Sequence, residues 1–164
     1  MAFASTLSTL VLPLTAFSST YILYNSVTAS RLLQKYESVT KKAAKVTSKA
    51  DDELWKTRYT QGAGLVASLS TTISSGLALY WSTSGKSEHG GDLQRSLFLM
   101  GCANAGLCLW VRRYMAGFWV GRARVPLPGS TEYNDAVRAT ERLLVWLRIV
   151  AMGWASVMAV NWDW

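Results

Sequence analysis

Residues 59–83 read YTQGAGLVASLSTTISSGLALYWST, and none of them is charged. A helix rises about 1.5 Å per residue. Crossing a hydrocarbon core about 30 Å thick takes roughly 20 apolar residues, so this run is long enough to span a membrane. Its middle is unusual, because Ser68, Ser70, Thr71, Thr72, Ser74 and Ser75 bring hydroxyl groups into it. Hydroxyls can return their hydrogen bonds to the helix's own carbonyls, and small side chains let neighbouring helices approach closely. We therefore expect residues 60–82 to form a span, the one most enclosed by its neighbours.

Working outward, residues 2–30 are also free of charge, which places another span at 4–26 with Pro13 inside it. A proline removes one backbone donor and favours a kink. The segment lacks a basic start and has a long apolar run, so it reads as a retained span and not as a signal peptide. Beyond it, Leu32, Leu33, Tyr36, Val39, Ala43 and Val46 recur at helical spacing among lysines. That pattern predicts a helical continuation lying at the headgroups. Downstream, residues 96–111 are uncharged, and the apolar pattern resumes after Arg112 and Arg113 with Tyr114–Val120. The span there is taken as 96–118, with the two arginines snorkelling to the interface. A last span, 143–162, holds one charge, Arg148.

Between spans, Asp51, Asp52 and Glu53 suit the start of a helix, where the dipole favours acidic groups. Pro126, Pro128 and Gly129 break the chain, and Ser130 or Thr131 restarts it. The expected fold is all-α: an antiparallel four-helix transmembrane bundle, one domain over residues 1–164.

The 164 residues include 17 Lys/Arg against 10 Asp/Glu, a net charge of +7. In a soluble chain this would point to nucleic acid. Here the cations lie between apolar runs, so the lipid bilayer is the expected partner and nucleic acid is not. Eight Lys/Arg fall in 31–58, six in 112–142 and two in 83–95. The positive-inside rule then sets 31–58 and 112–142 on the cytoplasmic side, with both termini opposite. An internal membrane such as the endoplasmic reticulum would hold it. The eight Trp and seven Tyr suit membrane–water interfaces. Cys102 and Cys108 are six apart, point in different directions on a helix and are not expected to pair. A single histidine, His89, excludes a multi-histidine metal site within the chain, and neither metal nor cofactor is expected.

Two polar residues inside spans are candidates for chemistry. Arg148 could face the bundle interior and bind an anionic oxygen, or it could snorkel or pair with Glu141 or Asp135. Asn104 could orient a ligand, or tie its helix to a hydroxyl of a neighbour. Trp55 and Tyr59, four apart and on one helix face, would serve as an interfacial anchor or as an aromatic wall for a flat substrate. Trp146 and Trp110 are further aromatic candidates for such a wall. Gly101 with Ala105, and Gly117 with Gly121, have the spacing of close helix packing.

The Trp55–Tyr59–Gly62 entry to the second span, Pro126, Pro128 and Asn134 after the third, and Trp146 with Arg148 in the last resemble the anthrone oxygenase-like family of small four-span membrane proteins. The resemblance covers the chain in outline. It implies a cofactor-independent monooxygenase of polyketide biosynthesis acting on a hydrophobic aromatic substrate. Arg148 and Asn104 would stabilise a substrate enolate in a dry pocket. The rival expectation is a non-catalytic structural or assembly subunit, mitochondrial for instance, whose partner is a homo-oligomer or a larger membrane complex. A carrier or channel is disfavoured, since there is no pair of broken helices and no ring of charge. An enzyme needs a cavity of about 300 Å³ or more, lined by Arg148, Asn104 and aromatics. A structural subunit needs a filled core and an outward Arg148.

Overall fold

The computed structural model describes the backbone of residues 2–43, 48–84, 90–120 and 131–162, and the side chains of 10–35, 55–84, 91–120 and 134–162. Four helices make up these residues: α1 (Ala2–Ala43), α2 (Ser48–Thr83), α3 (Gly90–Trp119) and α4 (Thr131–Val160). No strand occurs among the described residues. Helix α1 runs through Pro13 and on to Ala43, taking in most of the expected continuation. Helix α3 has Asp92 in its first turn, where a carboxylate favours the exposed amides. Helix α4 starts at Thr131. Pro126, Pro128, Gly121 and His89 lie outside the described residues.

The helices form a ring in which each packs on its two chain neighbours, and α4 closes onto α1. Pairings run antiparallel throughout. On α1 and α4, Tyr21 meets Trp146 with ring centroids 4.5 Å apart, while Thr15 sits against Gly153. On α3 and α4, Phe98 meets Trp162 and Gly101 sits against Trp154 and Met158. Thr72 of α2 reaches the carbonyl of Ser19 on α1.

Helix α4 carries the core. Ala136, Thr140, Leu143, Leu147, Val150, Trp154, Val157 and Asn161 are all buried. Their alternating steps of four and three are the seam of a left-handed helix pair. Gly101 lets α3 close on that seam: a Cβ there would come within 3.0 Å of the Trp154 carbonyl oxygen and 2.9 Å of Met158 Cβ.

Of the four expected spans, two among the described residues are long and apolar enough to cross a membrane: Trp55–Thr83 on α2 and Asn134–Val160 on α4. The buried share is 33% in α2's most apolar stretch and 39% in α4's, so α2 is not the most enclosed helix, as its hydroxyls had suggested. The hydroxyls explain why. Ser68 donates to Leu65 O, Thr71 to Ala67 O and Ser75 to Thr72 O. A hydroxyl satisfied by its own helix does not require a neighbour to cover it.

The two faces of α2 are inverted relative to a water-soluble helix. Its buried face holds Ala67, Ser68, Thr71, Ser75 and Ala78, while Val66, Leu69, Ile73, Leu77 and Tyr80 are exposed. On α1 the buried face is mixed, with Thr15, Ser19, Asn25 and Ser26 beside Leu12, Ile22, Ala29 and Leu33, while Leu10, Leu14, Phe17 and Tyr24 are exposed.

Candidate functional site

The sequence candidates do not converge. Arg148 is exposed on α4, on the same outward face as Val145, Ile149 and Met152. Asn104 is buried on α3, and its amide donates to Met100 O at 2.9 Å. Its Oδ1 accepts from Ser70 Oγ of α2 at 3.5 Å. Asn104 thus has the helix-tying geometry. Trp55 and Tyr59 are both exposed, with ring centroids 5.9 Å apart. Trp110 is exposed and stacks on Tyr114 of its own helix. Trp146 is half-buried against Tyr21.

Of the small-residue pairs, Gly101 is buried in the α3–α4 contact, while Gly117 is exposed and a Cβ there would touch nothing. Cys102 is exposed and Cys108 buried, and both are free thiols.

What the fold does bring together lies in the first half of α2, next to Tyr59. Here Thr60 and Gln61, adjacent in sequence, hold α2 to both α3 and α4. Trp119 Nε1 of α3 donates to Thr60 Oγ1 at 3.0 Å. Thr60 in turn directs its own proton toward the carbonyls of Lys56 and Thr57. Gln61 Nε2 donates to Thr140 Oγ1 of α4 at 2.7 Å, and Thr140 passes its proton to Ala136 O at 2.8 Å. All four residues of this clamp are buried. With Thr140 bonded to Ala136 O, the amide of Gln61 turns Nε2 toward Thr140. Thr140's only proton is committed to Ala136, so Thr140 can accept from Gln61 but not donate to it. Gln61 Oε1 is left buried with no hydrogen-bond partner.

A cavity of about 420 Å³ opens beside this clamp, between Ser30, Leu33 and Gln34 of α1 and Thr57, Arg58, Gln61, Gly62 and Leu65 of α2. A second, about 360 Å³, is lined by Arg138, Glu141, Arg142, Val145 and Trp146 of α4. Trp146 is the only one of the six candidate residues to line either cavity. Arg58 lies over the Trp55 ring, 5.2 Å from its centroid. The clamp residues Thr60, Gln61, Trp119 and Thr140 were not singled out from the sequence. One signal was available: a carboxamide at 61 inside a charge-free run needs a partner.

No group of three or more His, Cys, Asp or Glu that could hold a metal ion occurs among the described residues. Comparison with protein-family models, with curated proteins and with solved structures finds no match to this chain.

Proposed function

We propose that the chain is an integral membrane protein, a four-span helical bundle acting as a non-catalytic structural or assembly subunit. The inverted polarity of α2 carries this reading. Val66, Leu69, Ile73, Leu77 and Tyr80 form one uncovered apolar stripe, while hydroxyls fill the opposite, buried face. Burying a large apolar side chain contributes about 1.5–3 kcal/mol, so leaving these five about half exposed to water forgoes roughly 5 kcal/mol. That is a large part of the stability of a typical domain. In lipid the same stripe costs nothing, and the inward hydroxyls are already bonded. The basic end, with segments 31–58 and 112–142, faces the cytoplasm or its equivalent.

Arg148 favours assembly over catalysis. It stands on the outward face of α4 beside Val145, Ile149 and Met152, where a charge in lipid costs about 2.5–3.5 kcal/mol at the centre of a span. Snorkelling relieves part of that cost, and a carboxylate or headgroup of a neighbouring subunit relieves more. An anthrone oxygenase-like activity instead requires Arg148 and Asn104 to meet one substrate. Asn104, however, is engaged with Ser70 and Met100, and Arg148 faces away from the core.

Two measurements test the reading. Alkaline carbonate should leave the full chain in the membrane pellet. Native electrophoresis in mild detergent should show it above its 18.1 kDa monomer mass, and Arg148→Leu should collapse that species to the monomer. Release by carbonate would refute membrane integration. An unchanged oligomer in Arg148→Leu would refute the role given to Arg148.

A further inference from the structure

Helix α2 carries glycines of two kinds. Gly64 is packed: a Cβ there would come within 3.0 Å of Met115 Sδ and 3.1 Å of Leu143 Cδ2. Gly62 and Gly76 face outward, and a Cβ on either meets nothing within 4 Å. Glycine is the poorest helix former after proline, and the bundle's own packing gives no reason for these two. They stand fourteen residues apart, two heptads, on the exposed apolar stripe of the helix.

That stripe has the register of a helix-pairing seam. Tyr59, Val66, Ile73 and Tyr80 recur every seven residues and are all exposed. Gly62, Leu69 and Gly76 form a second heptad position three residues further on, also exposed. β-Branched residues at the first position with leucine at the second favour a parallel two-stranded pair. Glycine replaces leucine at the two ends of the seam, where the first position holds tyrosine: Gly62 lies three residues after Tyr59, and Gly76 four before Tyr80. A large ring and a missing side chain compensate each other in volume. The two tyrosines are 21 residues apart, about 32 Å along a helix. They therefore stand at the two faces of a hydrocarbon core about 30 Å thick.

We infer that this stripe is the contact surface for a second copy of the chain, α2 against α2 in parallel about a twofold axis along the membrane normal. Two copies inserted with one orientation present α2 in the same direction, as the heptad pattern requires. In lipid no hydrophobic gain separates a protein partner from acyl chains, and close packing decides. Each glycine notch receives a tyrosine ring of the second copy, while Val66, Leu69 and Ile73 interlock between the notches. The five large side chains of the seam are 40–64% exposed. They leave roughly 600 Å² open per copy, so a pair that covers most of it buries on the order of 1,000 Å², the threshold for a specific interface. Helix α4, which carries Arg148, lies diagonal to α2 in the ring, so each copy has room for both contacts. The inference rests on the membrane reading above and is independent of the role given to Arg148.

Detergent disperses an apolar seam, so the test is read in the native membrane. The full chain is freed of its thiols by Cys102→Ser and Cys108→Ala, single cysteines are introduced one at a time, and the membranes are oxidised with copper phenanthroline. Val66→Cys, Leu69→Cys and Ile73→Cys should each form a disulfide-linked species at twice the 18.1 kDa monomer mass. Leu14→Cys on α1 and Leu109→Cys on α3, both exposed, should give at least tenfold less. Gly62→Trp together with Gly76→Trp should fill both notches and cut the Leu69→Cys product at least tenfold, with helical circular dichroism unchanged. Gly106→Trp, on an open face of α3, should leave that product intact, and so should Arg148→Leu.

Equal product from Leu14→Cys or Leu109→Cys would mark random collision in the bilayer and overturn the proposal. So would a Leu69→Cys product that survives the paired tryptophans. A product at another mass would make the occupant a different protein and overturn the second copy. Loss of the product in Arg148→Leu would assign α2 to the Arg148 contact and overturn its independence. A chain that resists carbonate extraction but gives no α2 disulfide refutes this inference and leaves the membrane reading intact.

Discussion

Replacing Gly101 by alanine sets two opposed effects against each other on one helix. Alanine in a helix interior is favoured over glycine by roughly 0.5–1 kcal/mol, because glycine loses more backbone entropy on folding. Against that, the new Cβ would lie 3.0 Å from the Trp154 carbonyl oxygen, 3.1 Å from the Met158 amide nitrogen and 2.9 Å from Met158 Cβ. Two of these three atoms are backbone, and the third is fixed to it. None can swing away as the end of a flexible side chain would, so α3 must move off α4 by several tenths of an ångström. Overpacking of this kind costs about 1–3 kcal/mol.

Gly106, five residues along the same helix, isolates the contact. A Cβ there meets nothing within 4 Å, so Gly106→Ala should show the propensity gain alone. Subtracting one variant from the other removes propensity and leaves the contact, about 1–3 kcal/mol in favour of Gly106→Ala. The assay is reversible unfolding in detergent micelles, followed by circular dichroism. If Gly101→Ala matches Gly106→Ala within about 0.5 kcal/mol, the close α3–α4 approach is not the origin of Gly101's role.

Three further outcomes follow from the clamp and the thiols. Thr140→Val removes the acceptor of Gln61 Nε2 and leaves that amide buried without its partner, so unfolding free energy should fall by about 1–3 kcal/mol; a loss under about 0.5 kcal/mol would mean the amide finds another partner. Trp119→Phe removes the donor to Thr60 Oγ1 and also part of a buried ring, for an expected loss of about 1–3 kcal/mol in the same unfolding assay. Cys102 is exposed and Cys108 buried. A small lipid-soluble maleimide should therefore label Cys102 in intact membranes and spare Cys108, while a membrane-impermeant reagent labels neither. Labelling of Cys102 by the impermeant reagent would place that face of α3 in water.

The helical segments were legible because their signals are local. Charge-free runs, the lysine-bearing continuation of α1 to Ala43 and the restart at Thr131 all depend on residues close in the chain. The role of Gly101 was legible for a similar reason: a small residue at packing spacing has few other uses in a span. Asn104 was recognised as needing a partner, but the alternatives stayed open until α2 supplied Ser70. The clamp was not legible at all. Gln61 and Thr140 are 79 residues apart, and Thr60 and Trp119 are 59 apart. No spacing within one helix announces such a meeting.

Returning to residues 59–83, their freedom from charge and their length determined a long helix and its hydroxyl-rich character. Which face of that helix turns inward was decided only by the tertiary structure. In a soluble helix the apolar side is the inner one, so composition gives the rotation. Here the apolar stripe of α2 is the outer one, and the hydroxyls of the other face can satisfy themselves on their own carbonyls. Rotation is then set by partners from elsewhere in the chain: Trp119 on Thr60, Thr140 on Gln61 and Ser19 on Thr72. The same reason separates Arg148 from Asn104. Both sit within apolar runs, but only the packing of α4 against α1 and α3 turns one outward and leaves the other enclosed.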